Sequence, residues 1–151
     1  MIRRALVFAK EKVGNRDAAI RKLVKQAARE GLLNDEETFI ASVYRREKEV
    51  PTSLGHGIAI PHGKSATVKE AFFAFLSVDQ PFLWQEGTED MVRGIFLIGV
   101  PEKNTERLHL QVISAISKRL LDEKFREALF NCSQSESAYA MLKSVDESIQ
   151  V

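Results

Sequence analysis

The clearest pattern in the chain is a run of apolar residues at helical spacing over 16–30. It predicts an amphipathic helix that has Asn15 as its N-cap and ends at Gly31. The stripe expected to face the core consists of Ile20, Leu23, Val24, Ala27 and Ala28.

Four more helices are predicted. One begins at Asn34, because Glu37 follows three residues later as in a capping box, and it should end before Pro51 with Arg46 near its last turn. The others are a helix from an N-cap at Asn104 to about Leu121, a short helix over 122–130, and a last helix started by Ser133 with Glu136.

Two continuous apolar runs, 71–76 and 95–100, are typical of strands whose two faces are both covered. The polar patch 79–81 should end the first run, and Pro101 should end the second. A short strand is also predicted at 5–8. Helices around buried strands indicate a layered α/β domain.

The composition narrows the class of protein. A length of 151 residues is usual for one domain, so a single domain over 1–151 is predicted. Lysine plus arginine (22) almost balance aspartate plus glutamate (21), which gives no overall field to attract nucleic acid or an anionic membrane. The lone Cys132 excludes an internal disulfide and suits a reducing compartment. Because we find no signal-peptide core and no apolar stretch of spanning length, we predict a cytoplasmic protein without membrane insertion.

The stretch 52–64 is unusual because it combines His56, His62, three glycines and Pro61. Glycine lets backbone approach a ligand closely, and Pro61 restricts its own φ and that of the residue before it. The stretch therefore predicts an imidazole presented at the end of a strand.

Two familiar kinds of site do not fit this stretch. A nucleotide-binding P-loop needs a glycine five residues before Gly63, and Ile58 stands there, so we reject it. A metal site made of His56, His62 and His109 is not favoured, because the first two lie six residues apart and no His-Glu-x-x-His pattern occurs. We expect no metal.

His62 is instead a candidate nucleophile that carries a transferred phosphoryl group. Neutral imidazole is nucleophilic near pH 7, and its phosphorus adducts stay reactive enough to pass the group onward. Such a site needs in-line positioning and donors for the phosphoryl oxygens. The candidate donors are the Thr52 and Ser53 hydroxyls, the Gly63 amide and the Lys64 ammonium. The alternative, in which the glycines only form a tight turn and His62 is a surface histidine, stays open.

His109 and Arg46 each have two interpretations. His109 lies on the apolar stripe of its predicted helix, as expected of a core histidine bonded to backbone. Near a helix N-terminus, which disfavours imidazolium, it is also a candidate neutral donor to a phosphoryl oxygen. Arg46 is either a solvated arginine at a helix end or a guanidinium partner of that group.

Five segments of the chain resemble enzyme IIA of the mannitol/fructose class in the bacterial phosphoenolpyruvate:sugar phosphotransferase system. The most specific is Gly-Ile-Ala-Ile-Pro-His-Gly at 57–63. The others are 46–48, 51–55, 96–101 and 109–113. His56 departs from the pattern, since relatives often have Asn or Glu there, and we expect it at the rim of the pocket.

The resemblance implies a mixed, mainly five-stranded sheet with helices packed on both faces. It also implies that His62 accepts a phosphoryl group from the phosphocarrier HPr and passes it to a IIB domain of a sugar permease. In that case His109 hydrogen-bonds the group, Arg46 helps to neutralise it, and no cofactor is needed. A nitrogen-related type of the same family reports its phosphorylation state by binding other proteins, so a regulatory partner remains an alternative.

Overall fold

A computed structural model describes residues 1–103 and 107–149 of the chain. Within these residues the strands are β1 (Val7–Glu11), β2 (Ser53–Gly55), β3 (Ile58–Ala59), β4 (His62–Lys64), β5 (Phe72–Leu83) and β6 (Met91–Val100). The helices are α1 (Arg16–Arg29), α2 (Glu36–Glu49), α3 (Leu108–Leu120), α4 (Glu123–Phe130) and α5 (Ser135–Glu147). The strands form one mixed sheet in the order β1-β5-β6-β3-β2, and β4 also pairs with β6.

Helices cover both faces of the sheet, as predicted. Phe72 and Phe75 lie three residues apart on β5 and therefore point to opposite faces. The ring of Phe72 lies 5.9 Å from that of Phe39 on α2, and the ring of Phe75 lies 6.3 Å from that of Phe130 on α4, measured between centroids. The core thus has one layer on each side of the central strands.

The described part of the sheet has six strands rather than the five expected, because Pro61 divides the segment that leads to His62. Both pieces, β3 and β4, run parallel to β6 along the same edge. Pro61 has no N–H to donate, and the Ile60 N–H donates to the Thr52 carbonyl at 3.1 Å. Pairing with β6 is therefore interrupted for two residues and resumes at His62, opposite Ile98.

The first helix is confirmed, and the start of the second was predicted wrongly. The Asn15 side chain caps α1 by accepting from the Ala18 N–H at 2.8 Å. Asn34 is not the N-cap, because α2 begins at Glu36 with Asp35 in that position. The Asn34 N–H, which a capping box would pair with Glu37, instead donates to the Thr67 carbonyl at 2.9 Å.

The later helices lie where they were predicted, and the start of the last one differs. Asn104 is outside the described residues, and α3 begins at Leu108 with Arg107 as its N-cap. Asp122 caps α4 through its side chain. The last helix begins after Gln134, so the predicted start at Ser133 is wrong.

The polar patch 79–81 does not end β5. The strand continues to Leu83, and its pairing with β6 is irregular between Ser77 and Phe82, so the patch is a local distortion of a longer strand. At the N-terminus a 3-10 turn occupies Arg4–Leu6 before β1, which replaces half of the predicted strand. Every helix in the described ranges is too short or too polar to cross a bilayer.

Candidate active site

A pocket of about 310 Å³ lies where α2, β4 and the first turn of α3 meet. It brings together five residues that the sequence marked as candidates for phosphoryl chemistry. The lining consists of Arg46, His62, Gly63, Lys64 and His109, together with Ser42 and Glu49.

His62 reaches the pocket because β4 lies directly against α2. This close packing requires the glycine at position 63. A Cβ there would approach the Ser42 hydroxyl more closely than van der Waals contact allows, and would lie 3.1 Å from Phe39 Cε1. Gly63 therefore has a steric role that brings His62 beside the helix that carries Arg46.

One hydrogen bond determines which ring nitrogen of His62 carries the proton and which keeps a lone pair. Its Nδ1 lies 2.9 Å from the Ile60 carbonyl oxygen, which can only accept, so Nδ1 carries the proton. In the neutral ring the lone pair is then on Nε2. Nε2 is therefore the nitrogen of His62 that could act as a nucleophile.

His109 is the second residue of α3 and faces His62 across the pocket. The two ring centroids are 5.9 Å apart, and the ring planes are inclined by 23°. His109 Nδ1 is buried and has no hydrogen-bond partner among the described residues. Because a buried donor without an acceptor is rarer than an unpaired acceptor, the proton of the neutral ring belongs on Nε2.

Both imidazoles are biased toward the neutral form. Burial lowers the pKa of His62 most. The hydrogen bond to the Ile60 carbonyl opposes this, Arg46 lowers the pKa further, and the charges of Glu47 and Glu49 raise it. Burial also lowers the pKa of His109, with smaller contributions from His62, Lys64 and Arg46. At pH 7 the pocket therefore holds two neutral imidazoles side by side.

Arg46 is held at the C-terminal end of α2. Its guanidinium donates to the Val50 carbonyl at 2.9 Å, and its Nε lies 3.8 Å from the Glu49 carboxylate. The Arg46 side chain is 33% exposed, and Lys64 is exposed on the same pocket. The pocket thus contains two cationic side chains that suit a phosphoryl dianion.

The structure does not bring the Thr52 and Ser53 hydroxyls to the pocket. Thr52 is buried, and its hydroxyl donates to the carboxylate of Glu47. The Ser53 hydroxyl donates to Asp90 at 2.6 Å. Neither residue lines the pocket, so neither is placed to bind a phosphoryl group there.

His56 also lies away from the pocket, which corrects its expected place at the rim. It is exposed in the turn between β2 and β3, with φ of 55° between two glycines that also have positive φ. Over 1–103 and 107–149, no group of three or more His, Cys, Asp or Glu side chains is arranged to hold a metal ion.

Two pocket residues were missed by the sequence analysis, although a signal for them existed. Ser42, Arg46 and Glu49 are spaced i, i+4 and i+7 on α2, so they share one face of the helix. With Arg46 as a candidate for the pocket, this spacing alone would have made Ser42 and Glu49 candidates as well.

A family comparison matches nearly the whole chain. The sequence profile described as "Phosphoenolpyruvate-dependent sugar phosphotransferase system, EIIA 2" matches residues 1–145.

Individual relatives differ in length. The chain is 35% identical over 130 residues to the PTS system 2-O-alpha-mannosyl-D-glycerate-specific EIIABC component of Escherichia coli, which covers 85% of this chain and 20% of that protein. It is 29% identical over 142 residues to the PTS system fructose-specific EIIA component of Haloferax volcanii, covering 94% and 92% of the two chains. The chain therefore spans one fifth of the first relative and most of the second.

Among solved structures, the nitrogen regulatory protein IIA-Ntr from Neisseria meningitidis superposes with a TM-score of 0.81 at 30% identity. The match covers 93% of this chain and 94% of the other. The fold is thus shared over nearly the whole length.

Proposed function

Since the chain belongs to the EIIA 2 family of the phosphoenolpyruvate-dependent sugar phosphotransferase system, we propose that it accepts a phosphoryl group from phospho-HPr on His62 and passes it to a IIB domain. The observation that carries the proposal is the bond between His62 Nδ1 and the Ile60 carbonyl, which leaves the lone pair on Nε2. The lowered pKa of His62 keeps that lone pair unprotonated at neutral pH.

In the accepting step, the Nε2 lone pair attacks phosphorus from the pocket. A nitrogen–phosphorus bond forms as the bond between phosphorus and the donor breaks, and the bonding electron pair leaves with the donor. His109 donates from its Nε2–H to a phosphoryl oxygen, while Arg46 and Lys64 offset the negative charge. Gly63 contributes the close packing that sets the position of His62.

In the onward step a nucleophilic atom of the acceptor attacks phosphorus. A bond between the two forms as the bond to Nε2 breaks, and its electron pair stays on Nε2, so the imidazole returns to the neutral, Nδ1-protonated form. A IIB domain is the proposed acceptor because the family functions in sugar phosphotransfer, and because one relative's name joins A, B and C parts in a single component. Relatives are named for different sugars, so we propose no particular sugar.

The direct test uses enzyme I, HPr and labelled phosphoenolpyruvate with the purified chain. We expect one acid-labile, base-stable phosphoryl group per chain, absent from His62→Ala. His56→Ala is the matched control and should be labelled like the wild type, because His56 lies outside the pocket. Label that persists on His62→Ala would overturn the assignment.

A regulatory role is the second candidate, favoured by the likeness to nitrogen regulatory protein IIA-Ntr. In this role His62 is phosphorylated in the same way, and the phosphorylation state is reported by binding of a partner protein. Transfer of label from the phosphorylated chain to a purified IIB domain supports transport. Failure of that transfer, together with capture of a non-transporter protein by only one phosphorylation state, supports regulation.

A further inference from the structure

A buried carboxylate lies one residue from Arg46, on the side of α2 away from the pocket. Glu47 is 3% exposed. Its carboxylate accepts from the Thr52 N–H at 3.2 Å, from the Thr52 hydroxyl, and from Trp84 Nε1–H at 3.3 Å. A buried carboxylate is costly without such donors, and here three of them converge on it.

Two further hydrogen bonds connect Thr52 to His62. The Thr52 carbonyl accepts from the Ile60 N–H at 3.1 Å, and the Ile60 carbonyl accepts from His62 Nδ1–H at 2.9 Å. Thr52 is 4% exposed and Ile60 is 2% exposed, so both intermediate residues are buried. Glu47 is thus connected to the nucleophile through two residues, with no contact to the pocket itself.

We propose that Glu47 is a positioning residue for His62. By binding Thr52 through both its amide and its hydroxyl, Glu47 fixes the segment that carries Ile60, and so holds the Ile60 carbonyl against His62 Nδ1. This inference rests on the proposed function, in which Nε2 of His62 is the phosphoryl acceptor. If the carbonyl moves away, the ring proton is free to shift to Nε2, which then has no lone pair for phosphorus.

A purely stabilising role for Glu47 makes a different prediction. In that case its loss lowers the melting temperature and leaves the proton of His62 on Nδ1. The position of this proton is measurable in the unphosphorylated protein, from the ¹⁵N shifts of the His62 ring. The measurement requires no phosphoryl donor, so it decides this inference even if His62 proves not to be phosphorylated.

Four variants separate the two roles. Glu47→Gln keeps the shape and removes the charge, and Thr52→Val keeps the shape and removes the hydroxyl donor. Thr52→Ser restores a hydroxyl and is the rescue variant. Thr38→Val is the matched control. The Thr38 hydroxyl on α2 also donates to a carboxylate, that of Asp35 at 2.5 Å, but this hydrogen bond is not connected to Ile60. Folding of each variant is checked by far-ultraviolet circular dichroism, because Trp84 is itself a hydrogen-bond partner of Glu47 and its emission would change without unfolding.

We expect Nδ1-protonated His62 in the wild type, Thr52→Ser and Thr38→Val. Folded Glu47→Gln and Thr52→Val should show a growing fraction of the Nε2-protonated ring, and phosphoryl acceptance should slow roughly tenfold or more, as small displacements of reacting groups do. An Nδ1-protonated ring in folded Thr52→Val overturns the inference, and so does an equal loss in Thr38→Val. If Glu47→Gln fails to fold, Thr52→Val decides the question.

Discussion

The imidazole rings of His62 and His109 face each other at 5.9 Å between centroids, and hydrogen bonding gives them opposite roles. His62 donates from Nδ1 to a backbone carbonyl and keeps a lone pair on Nε2. His109 buries an unpartnered Nδ1, which favours a proton on its Nε2. In the proposed function, two residues of the same type thus supply a nucleophile and a donor.

Replacing His109 should slow transfer of the phosphoryl group. His109→Ala loses the donor to the phosphoryl group, so release to IIB in a single turnover should fall roughly 100- to 1000-fold, as for other donors to a developing charge. His109→Gln, which retains an N–H donor, should recover part of the rate. Gln111→Ala, exposed on the same helix, is the control. Unchanged transfer by folded His109→Ala would count against the donor role.

Replacing Arg46 should weaken the hold of the site on the phosphoryl group. Arg46→Gln removes a guanidinium from the pocket, and we expect the equilibrium between phospho-HPr and the chain to shift toward phospho-HPr by roughly tenfold, the size of one charge-assisted hydrogen bond. Its neighbour Arg45 is exposed and does not line the pocket, so Arg45→Gln is the matched control. Equal shifts in both variants would indicate a general effect of charge.

A side chain at position 63 should destabilise the fold. The added Cβ of Gly63→Ala collides with the Ser42 hydroxyl and must push β4 away from α2, at a cost of about 1–3 kcal/mol in the free energy of unfolding. Gly14→Ala is the control, since a Cβ there has no neighbour within 4 Å. Urea denaturation of both variants, and of Gly63→Ala combined with Ser42→Ala, tests the cause. The double variant should regain part of the lost free energy of unfolding. If it regains none, the Ser42 hydroxyl is not the source of the strain.

The two histidines should make the protein less stable in mild acid. Their pKa values are lowered in the folded state from an ordinary value of 6.5, so below pH 6.5 the unfolded chain binds more protons than the folded one. The free energy of unfolding should therefore fall as pH drops from 6.5 toward the lower folded pKa values, and this contribution should be flat above 6.5. Urea titrations from pH 8 to 5 measure the slope. Combining His62→Gln with His109→Gln should reduce the slope of the free energy of unfolding against pH. An unchanged slope would mean that other groups cause the pH dependence.

Helix positions could be predicted from the sequence because their signal is local. The spacing of Ile20, Leu23 and Val24 requires no knowledge of distant parts of the chain, and all three are fully buried. The start of α2 was misplaced because the Asn34 N–H is taken by Thr67, a residue 33 positions away in sequence that no local pattern reveals.

The site shows the same division between local and distant information. His62 could be recognised from its neighbours in sequence, whereas the direction of the Thr52 hydroxyl depends on where Glu47 lies after folding. Glu47 in turn is bonded to Trp84, 37 residues away. Residue types suitable for phosphoryl binding were therefore identifiable, but only the fold shows which of them reach the pocket.

The position of β4 in the sheet has a consequence for the order in which the phosphoryl donor and acceptor bind. His62 stands on a strand that is paired to β6, in the middle of the sheet, and packed through Gly63 against α2. If His62 carries the phosphoryl group as proposed, the ring stays in place, and each partner must bring its own reacting atom to the same nitrogen. Donor and acceptor must then visit in turn, which gives ping-pong kinetics in which the donor departs before the acceptor docks.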